Sequence, residues 1–242
     1  MINFCVSLTT LPTRIDNINQ TLDSINNQSI KPDKIFLNLP RIFKRFPGYK
    51  FTEKQIEEIK KKNLIISECL DYGPGTKLMG SLEKIKKYDC VILLDDDNIY
   101  HKNTLEILIN NFLKHKTNYS YFVNEIFSMK FGQGSDGFLI VSELLNDIEI
   151  FYDKYVKDNK NLFLDDDFWI SMYLYCEKKS FIKNIINDFK EKTGEELSYI
   201  QTPNKDIDAL NKTVHKNNVF LNRRKKQKIE FIKYKLKKLV RI

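Results

Sequence analysis

The sequence predicts an α/β protein whose central sheet is mostly parallel and carries helices on both faces. Apolar runs of strand length alternate with stretches of helical periodicity over residues 1–115, and alternation of this kind buries a sheet between helices. The second observation is one of position. Three polar segments, "TTLPTR" (9–14), "DYGPGTK" (71–77) and "DDDN" (95–98), fall just past predicted strands, at the carboxyl edge where open α/β sheets bind ligands.

Taken along the chain, "INFCVSL" (2–8) reads as a strand, and Ile15, Ile18, Leu22 and Ile25 then recur at spacings of 3, 4 and 3, one face of a helix. "KIFLNL" (34–39) is the second strand, and a charged helical stretch at 53–62 precedes the third, "NLIISE" (63–68). Leu78, Leu82 and Ile85 mark another helix, and "DCVILL" (89–94) is the fourth strand. Asn103 with Glu106 three residues on predicts a capping box, opening a helix whose apolar face is Leu105, Leu108, Ile109 and Phe112. His101 and His115, near the ends of that surface helix, are expected to be solvated. From about 119 to 200 the pattern is less regular: apolar "YSYFV", a "GQGSDG" turn (132–137), a helix from about 142, and "LFLDDDFWISMYLY" (162–175).

With 242 residues, 42% of them hydrophobic, the chain can bury one sizeable core. No run approaches the roughly 20 apolar residues of a membrane span, and the opening "MINFCVSL" has no basic stretch ahead of a signal-like run, so a cytoplasmic protein is expected. Cys5, Cys69, Cys90 and Cys176 are far apart, which predicts reduced thiols rather than a disulfide framework or a zinc site. The net charge of +8 is unevenly placed: residues 223–242 hold ten Lys/Arg against Glu230 alone, a surplus of nine, so residues 1–222 carry −1. We therefore divide the chain into a domain over 1–222 and a basic amphipathic helix over 223–242. Ile229, Ile232, Leu236, Leu239 and Val240 share one face of that helix. Such a helix suits peripheral contact with the cytoplasmic face of an anionic membrane, or packing on its own domain with a solvated lysine face. Nucleic acid is disfavoured, since the tail offers only Phe231 and Tyr234 as aromatics and the body no basic surplus.

The chemistry concentrates in "VILLDDDN" (91–98), a buried strand run straight into three carboxylates. Asp95 and Asp97 can converge on a divalent cation, which removes their mutual repulsion, while Asp96 points away. The plainer reading is a solvated acidic turn capping the next helix. An EF-hand is excluded, because Tyr100 stands at the sixth loop position where glycine is needed and Ile99 cannot ligate. Two readings stay open: a haloacid-dehalogenase-type phosphatase using Asp95 and Asp97, and a nucleotide-sugar site in which Mg²⁺ or Mn²⁺ bridges a diphosphate. A second triplet, Asp165 to Asp167 in "LDDDFW", reads by itself as an N-cap with favourable helix-dipole charges before "FWISMYLY". In "DYGPGTK", Gly73 and Gly75 permit tight turns, and free helix N–H groups with Lys77 favour a phosphate.

Four segments in order, "VSLTTLPTRIDNINQTLDSINNQSIKPDKIFLNL", "DYGPGTK", "LLDDDN" and "LDDDFW", resemble the GT-A glycosyltransferases, especially family-2-like enzymes, over roughly residues 3–175. The resemblance implies the GT-A, Rossmann-like fold, with 1–115 as the nucleotide-sugar-binding half and 116–222 as the acceptor-side half. It implies donor contacts from Thr9, Thr10 and Arg14, from Asp71 and Lys77, and from Asp95 and Asp96. Asp97 and Asp95, with His215 as a candidate from the C-terminal region, would hold Mn²⁺ or Mg²⁺; an exposed loop histidine is the plainer reading of His215. Asp136 and Trp169 fall on the acceptor side. The second triplet is Asp-Asp-Asp where many relatives have Glu-Asp, so the base is Asp167 if "DDFWI" sets the register and Asp166 if the first pair does. The implied activity is metal-dependent, inverting transfer of a sugar from a nucleotide diphosphate donor, a UDP-sugar, to a glycan, lipid-linked or protein acceptor. One carboxylate then deprotonates the acceptor hydroxyl while the cation neutralises the leaving diphosphate, so the two acidic clusters have different tasks.

Overall fold

The computed structural model describes residues 2–206 and 222–239. The four expected strands form as β1 (Phe4–Thr9), β2 (Lys34–Pro40), β3 (Ile65–Cys69) and β4 (Cys90–Leu93). Later come β5 (Asn98–Tyr100), β6 (Asn118–Ser120), β7 (Asn124–Ile126), β8 (Met129–Phe131), β9 (Phe138–Val141), β10 (Ile182–Asn184) and β11 (Tyr199–Gln201). Among the described residues, seven of these make the central sheet in the order β3-β2-β1-β4-β9-β6-β10. Only β9 runs against its neighbours; the pairs β3-β2, β2-β1, β1-β4 and β6-β10 are parallel.

This order positions the site. From β1 the chain steps outward to β2 and β3, then returns to lay β4 on the other side of β1, so the crossovers diverge between β1 and β4. A crevice opens at the carboxyl ends of two such strands, where helices leave in opposite directions. The sequences of β1 (FCVSLT) and β4 (CVIL) are apolar almost throughout and β4 is wholly buried, as expected of parallel strands covered on both faces.

One face is covered by α1 (Asn19–Asn26), entered through a 3₁₀ turn at Ile15–Asn17. Ile15, Ile18, Leu22 and Ile25 are at most 2% exposed, and full burial of each is worth roughly 1.5–3 kcal/mol. After α2 (Glu53–Lys60), capped by a Thr52/Gln55 box, the helix expected around Leu78 to Ile85 is two single turns, α3 (Thr76–Met79) and α4 (Leu82–Ile85). The break lies at Gly80 and Ser81, where the Ser81 hydroxyl turns in to bond Asn38 and Ser67.

The helix α5 (Thr104–His115) follows β5 and buries Leu105, Leu108, Ile109 and Phe112 as expected, but the capping box does not form. The Asn103 side chain makes no cap bond; its Nδ2 donates to Glu106 Oε2, which Ser29 Oγ also reaches. His115 is exposed, whereas His101 is only partly so, its ring edge-on to Phe189. Beyond β9 lie α6 (Ile148–Phe151), α7 (Lys160–Phe163), α8 (Asp166–Cys176), α9 (Ile186–Thr193) and the basic helix α10 (Arg223–Leu239). All four cysteines are free thiols.

The basic helix differs from expectation in how it faces. It packs on the domain through Gln227, Glu230, Phe231 and Tyr234, not through its Ile/Leu stripe. Glu230 accepts from Asn159 and Asn161, Phe231 stacks near Phe127 and Tyr175, and Tyr234 sits between Phe151 and Tyr155. Aromatic area with satisfied polar neighbours wins the inner face, and the aliphatic stripe is left outside.

Candidate active site

The loop after β4 is fixed by its backbone before any side chain is placed. Leu94 N donates to Ser7 O, Tyr100 Oη donates to Asp95 O, the Asp96 carbonyl accepts from Thr21 Oγ1, and Thr202 N donates to Asp97 O. Three consecutive carboxylates are thereby thrown three ways. Asp95 pairs with Lys77, and its side chain is about one-third exposed. Asp96 turns inward, 4% exposed, accepting from Thr10 Oγ1 and pairing with Arg14 at 2.9 Å. Asp97 faces the crevice and meets the same guanidinium at 2.9 Å.

Asp96, expected as a donor contact, anchors Arg14 and Thr10 beneath the loop and also reaches the cavity wall. Arg14 is held in turn by two carboxylates. Burial, together with Asp95 and Asp96, pushes the Asp97 carboxyl up to about 6. Repulsion within the triplet is therefore only partly answered by Arg14.

Lys77 links the two acidic triplets. It is 4% exposed, with Nζ against Asp95 and 3.1 Å from Asp166 Oδ2. Burial opposes its charge, but Asp166, Asp95 and Asp167 outweigh that and hold its pKa well above the ordinary lysine value. The helix beneath it does not offer the free N–H groups that were expected. The amides of Thr76, Lys77 and Leu78 are taken by the carbonyls of Gly73, Pro74 and Gly75, so this turn presents the lysine side chain rather than those N–H groups. Asp71 likewise is engaged by backbone, accepting from Gly73 N in its own turn at 2.8 Å and from the distant Lys44 N at 2.6 Å.

The second triplet also divides its work. Asp165 accepts from Arg223 Nε at 3.0 Å and from Gln227 Nε2 at 2.8 Å, and so ties α10 to the start of α8. Asp166 faces Lys77. Asp167 is partly exposed, and its Oδ1 accepts from Gly134 N at 2.9 Å. Burial and the neighbouring Asp166 raise its pKa above the ordinary aspartate value. Arg223, Gln227 and Gly134 went unnoticed in the sequence. For the first two, a signal exists in the spacing of Arg223, Gln227, Glu230, Phe231 and Tyr234, a second helical stripe masked by the stronger aliphatic one.

These groups line one cavity of about 390 Å³, together with Thr9, Thr10, Arg14 and Asp71, a size suited to a small organic ligand. Phe43, Arg45 and Phe46 form another part of its wall, and Arg223 and Lys226 bring α10 to it. Two residues expected on the acceptor side are not in this wall. Trp169 is fully buried, 5.6 Å from the Tyr152 ring, and a Cβ at Gly75 would stand 2.7 Å from its indole. The indole therefore supports the turn that carries Lys77, and Gly75 is what lets that turn approach. Asp136 is 5% exposed, behind the wall formed by Gln133 and Ser135; its Oδ1 accepts from Ser135 Oγ. His215 lies outside the described residues.

Alanine at Gly134 gives a direct check on this arrangement. A Cβ there would stand 2.6 Å from Lys77 Nζ, and Nζ is pinned by two carboxylates. Gly134→Ala is expected to cost about 1–3 kcal/mol of stability, as overpacking does. Denaturant unfolding measures it, and a wild-type value would show that the position of Lys77 is immaterial.

Hard oxygen ligands of this kind suit Mg²⁺ or Mn²⁺. Among the described residues no three His, Cys, Asp or Glu form a complete metal-holding set. Two carboxylates without a cage fit a cation that keeps part of its ligand shell from outside the protein, as Mg²⁺ commonly does.

A mostly parallel sheet with an acidic crevice between β1 and β4 defines the class of fold: it is the GT-A fold. The solved structure that carries the comparison is the mannosyltransferase PcManGT from Pyrobaculum calidifontis, in complex with GDP-Man and Mn²⁺. It is 14% identical, with a TM-score of 0.52 over 76% of this chain and 54% of that one. S. aureus TarS 1–349 is 17% identical, with a TM-score of 0.48 over 78% of this chain and 63% of its own. Glucosyl-3-phosphoglycerate synthase from Mycobacterium tuberculosis, in complex with Mn²⁺, UDP-glucose and phosphoglyceric acid, is 16% identical, with a TM-score of 0.44 over 60% and 58%. The chain spans between 48% and 63% of the length of these and the related TarS complex. No protein-family model and no curated protein matches it.

Proposed function

We propose that this chain transfers a sugar from a nucleotide diphosphate donor, a UDP-sugar, to a hydroxyl of a glycan, lipid-linked or protein acceptor, with inversion at the anomeric carbon. One observation carries the reading: two acidic clusters from opposite halves of the chain meet across Lys77 in one cavity at the β1/β4 switch point. The GT-A fold supports it.

Asp95 and Asp97 would hold Mn²⁺ or Mg²⁺, which when bound offsets the charge of a leaving diphosphate. Lys77, already between the triplets, adds a second positive charge for that leaving group. Thr9, Thr10 and Arg14 shape the part of the wall that follows β1, and Asp71 the part that follows β3. Asp167 is the base. Asp165 is clamped by Arg223 and Gln227 and Asp166 is paired with Lys77, whereas Asp167 keeps Oδ2 without a described partner. Its raised proton affinity suits it to take a hydroxyl proton as the oxygen attacks.

Calorimetric titration of UDP, with and without Mn²⁺, tests the site. Wild type is expected to bind more tightly with the metal, and Asp97→Ala to lose most of that gain. Loss of a ligand should cost at least the roughly tenfold that loss of an outer-shell partner does. UDP binding indifferent to Mn²⁺ in wild type would count against the transferase. Phosphate release from a phosphomonoester without nucleotide would support the phosphatase reading instead.

A further inference from the structure

The face that α10 turns away from the domain has no role in the site described above. Ile229, Ile232, Leu236 and Leu239 are 40, 46, 55 and 66% exposed. Their spacings of 3, 4 and 3 make one continuous stripe, opposite the buried Gln227, Glu230, Phe231 and Tyr234. Four large aliphatic side chains in a row are more than the scattered apolar residues of an ordinary surface. Beside the helix, Phe127 at the tip of the β7-β8 hairpin is 55% exposed, with its ring 5.8 Å from Phe231.

Charge selects the occupant. Residues 223–239 carry nine Lys/Arg and one acid, Glu230, and Glu230 is buried on the inner side. The outward half of the helix is therefore apolar along its middle and purely cationic on both flanks. A second copy seated on the same stripe would bring two sets of lysines together with no acid to answer them. An anionic lipid surface answers both features at once, by taking up the aliphatic side chains below the headgroups and pairing the lysines with them. No described helix is long and apolar enough to cross a membrane, so the helix lies along the surface.

We propose that the outer face of α10 docks flat on an anionic lipid bilayer. Arg223 and Lys226, in the first turn of this helix, line the cavity, so docking holds part of the cavity wall near the lipid surface. The docking does not depend on what the cavity binds.

Flotation of the full chain with vesicles of phosphatidylcholine, alone or mixed with phosphatidylglycerol, tests this. Binding is expected only to the anionic vesicles, and to weaken as salt is raised. Ile232→Asp/Leu236→Asp should lower partitioning at least about tenfold. Lys228→Glu/Lys237→Glu, which leaves the stripe intact, should lower it by a similar factor. All four positions are solvent-facing, so unchanged thermal unfolding is expected and confirms that the variants fold. The proposal is overturned if neither vesicle binds, or if the aspartate variant binds as wild type does. It is equally overturned if sedimentation shows wild type dimerising and the aspartate variant monomeric, which would make the stripe a contact between copies. A parallel UDP titration keeps the readings apart: vesicle binding without nucleotide binding upholds the docking and rejects the transferase.

Discussion

Asp167→Asn is expected to lower kcat about a thousandfold while leaving UDP affinity within a factor of two. The magnitude follows from the 10²–10⁴ contribution of a positioned general base. The split follows from geometry, since Asp167 neither pairs with Lys77 nor faces Asp97. A panel of nucleotide-sugars watched for slow hydrolysis first identifies a donor, and initial rates against an acceptor then give kcat and KM separately. Asp166→Asn should behave differently. It removes one of two carboxylates holding Lys77, so its main effect falls on donor binding. Transfer activity retained by Asp167→Asn would exclude that residue as the base and leave Asp166.

Asp96→Ala should be the most destabilising substitution in the loop, at about 3 kcal/mol, while the neighbouring Asp97→Ala costs less than about 1 kcal/mol. Breaking a buried ion pair by removing one partner costs roughly 3–5 kcal/mol, because the other charge stays behind uncompensated. Here the charge left is Arg14, whose side chain is 11% exposed, and Asp97 keeps part of its pairing, which favours the lower end. The Asp97 side chain, 24% exposed, has water available once its partner is lost. Urea unfolding of both variants measures the difference. Equal midpoints would mean that Asp96 does not anchor the loop. Two identical adjacent residues would then be separated by phenotype, one through stability and the other through metal-dependent nucleotide binding.

Much of the fold was legible because burial writes itself into a sequence. The stripe Ile15, Ile18, Leu22, Ile25 and the runs that became β1 to β4 could be read directly, since a parallel sheet covered on both faces demands near-continuous apolar strands. Single interactions were less legible. Asn103 and Glu106 have the spacing of a capping box, yet Glu106 is engaged by Asn103 Nδ2 and Ser29 instead. The helix expected across Gly80 and Ser81 breaks because Ser81 finds Asn38, a partner on β2 that no local window contains.

The sequence by itself determined the layered α/β architecture, the presence of two acidic triplets and the edge of the sheet at which the first emerges. It also determined that the surplus charge sits in one terminal helix. Only the tertiary structure decided what each carboxylate does. Three aspartates in a row are chemically identical, and Asp96 becomes an anchor and Asp97 a ligand candidate because Arg14 and Thr10 lie under one and open crevice over the other. Likewise Asp165 is taken by Arg223, Asp166 by Lys77, and Asp167 is left to face the cavity. The same holds for the basic helix, whose inner face was chosen by distant aromatic and amide partners rather than by its own aliphatic periodicity. Periodicity reports how much apolar surface an element carries, whereas pairing depends on which charges and rings the fold brings within a few ångströms.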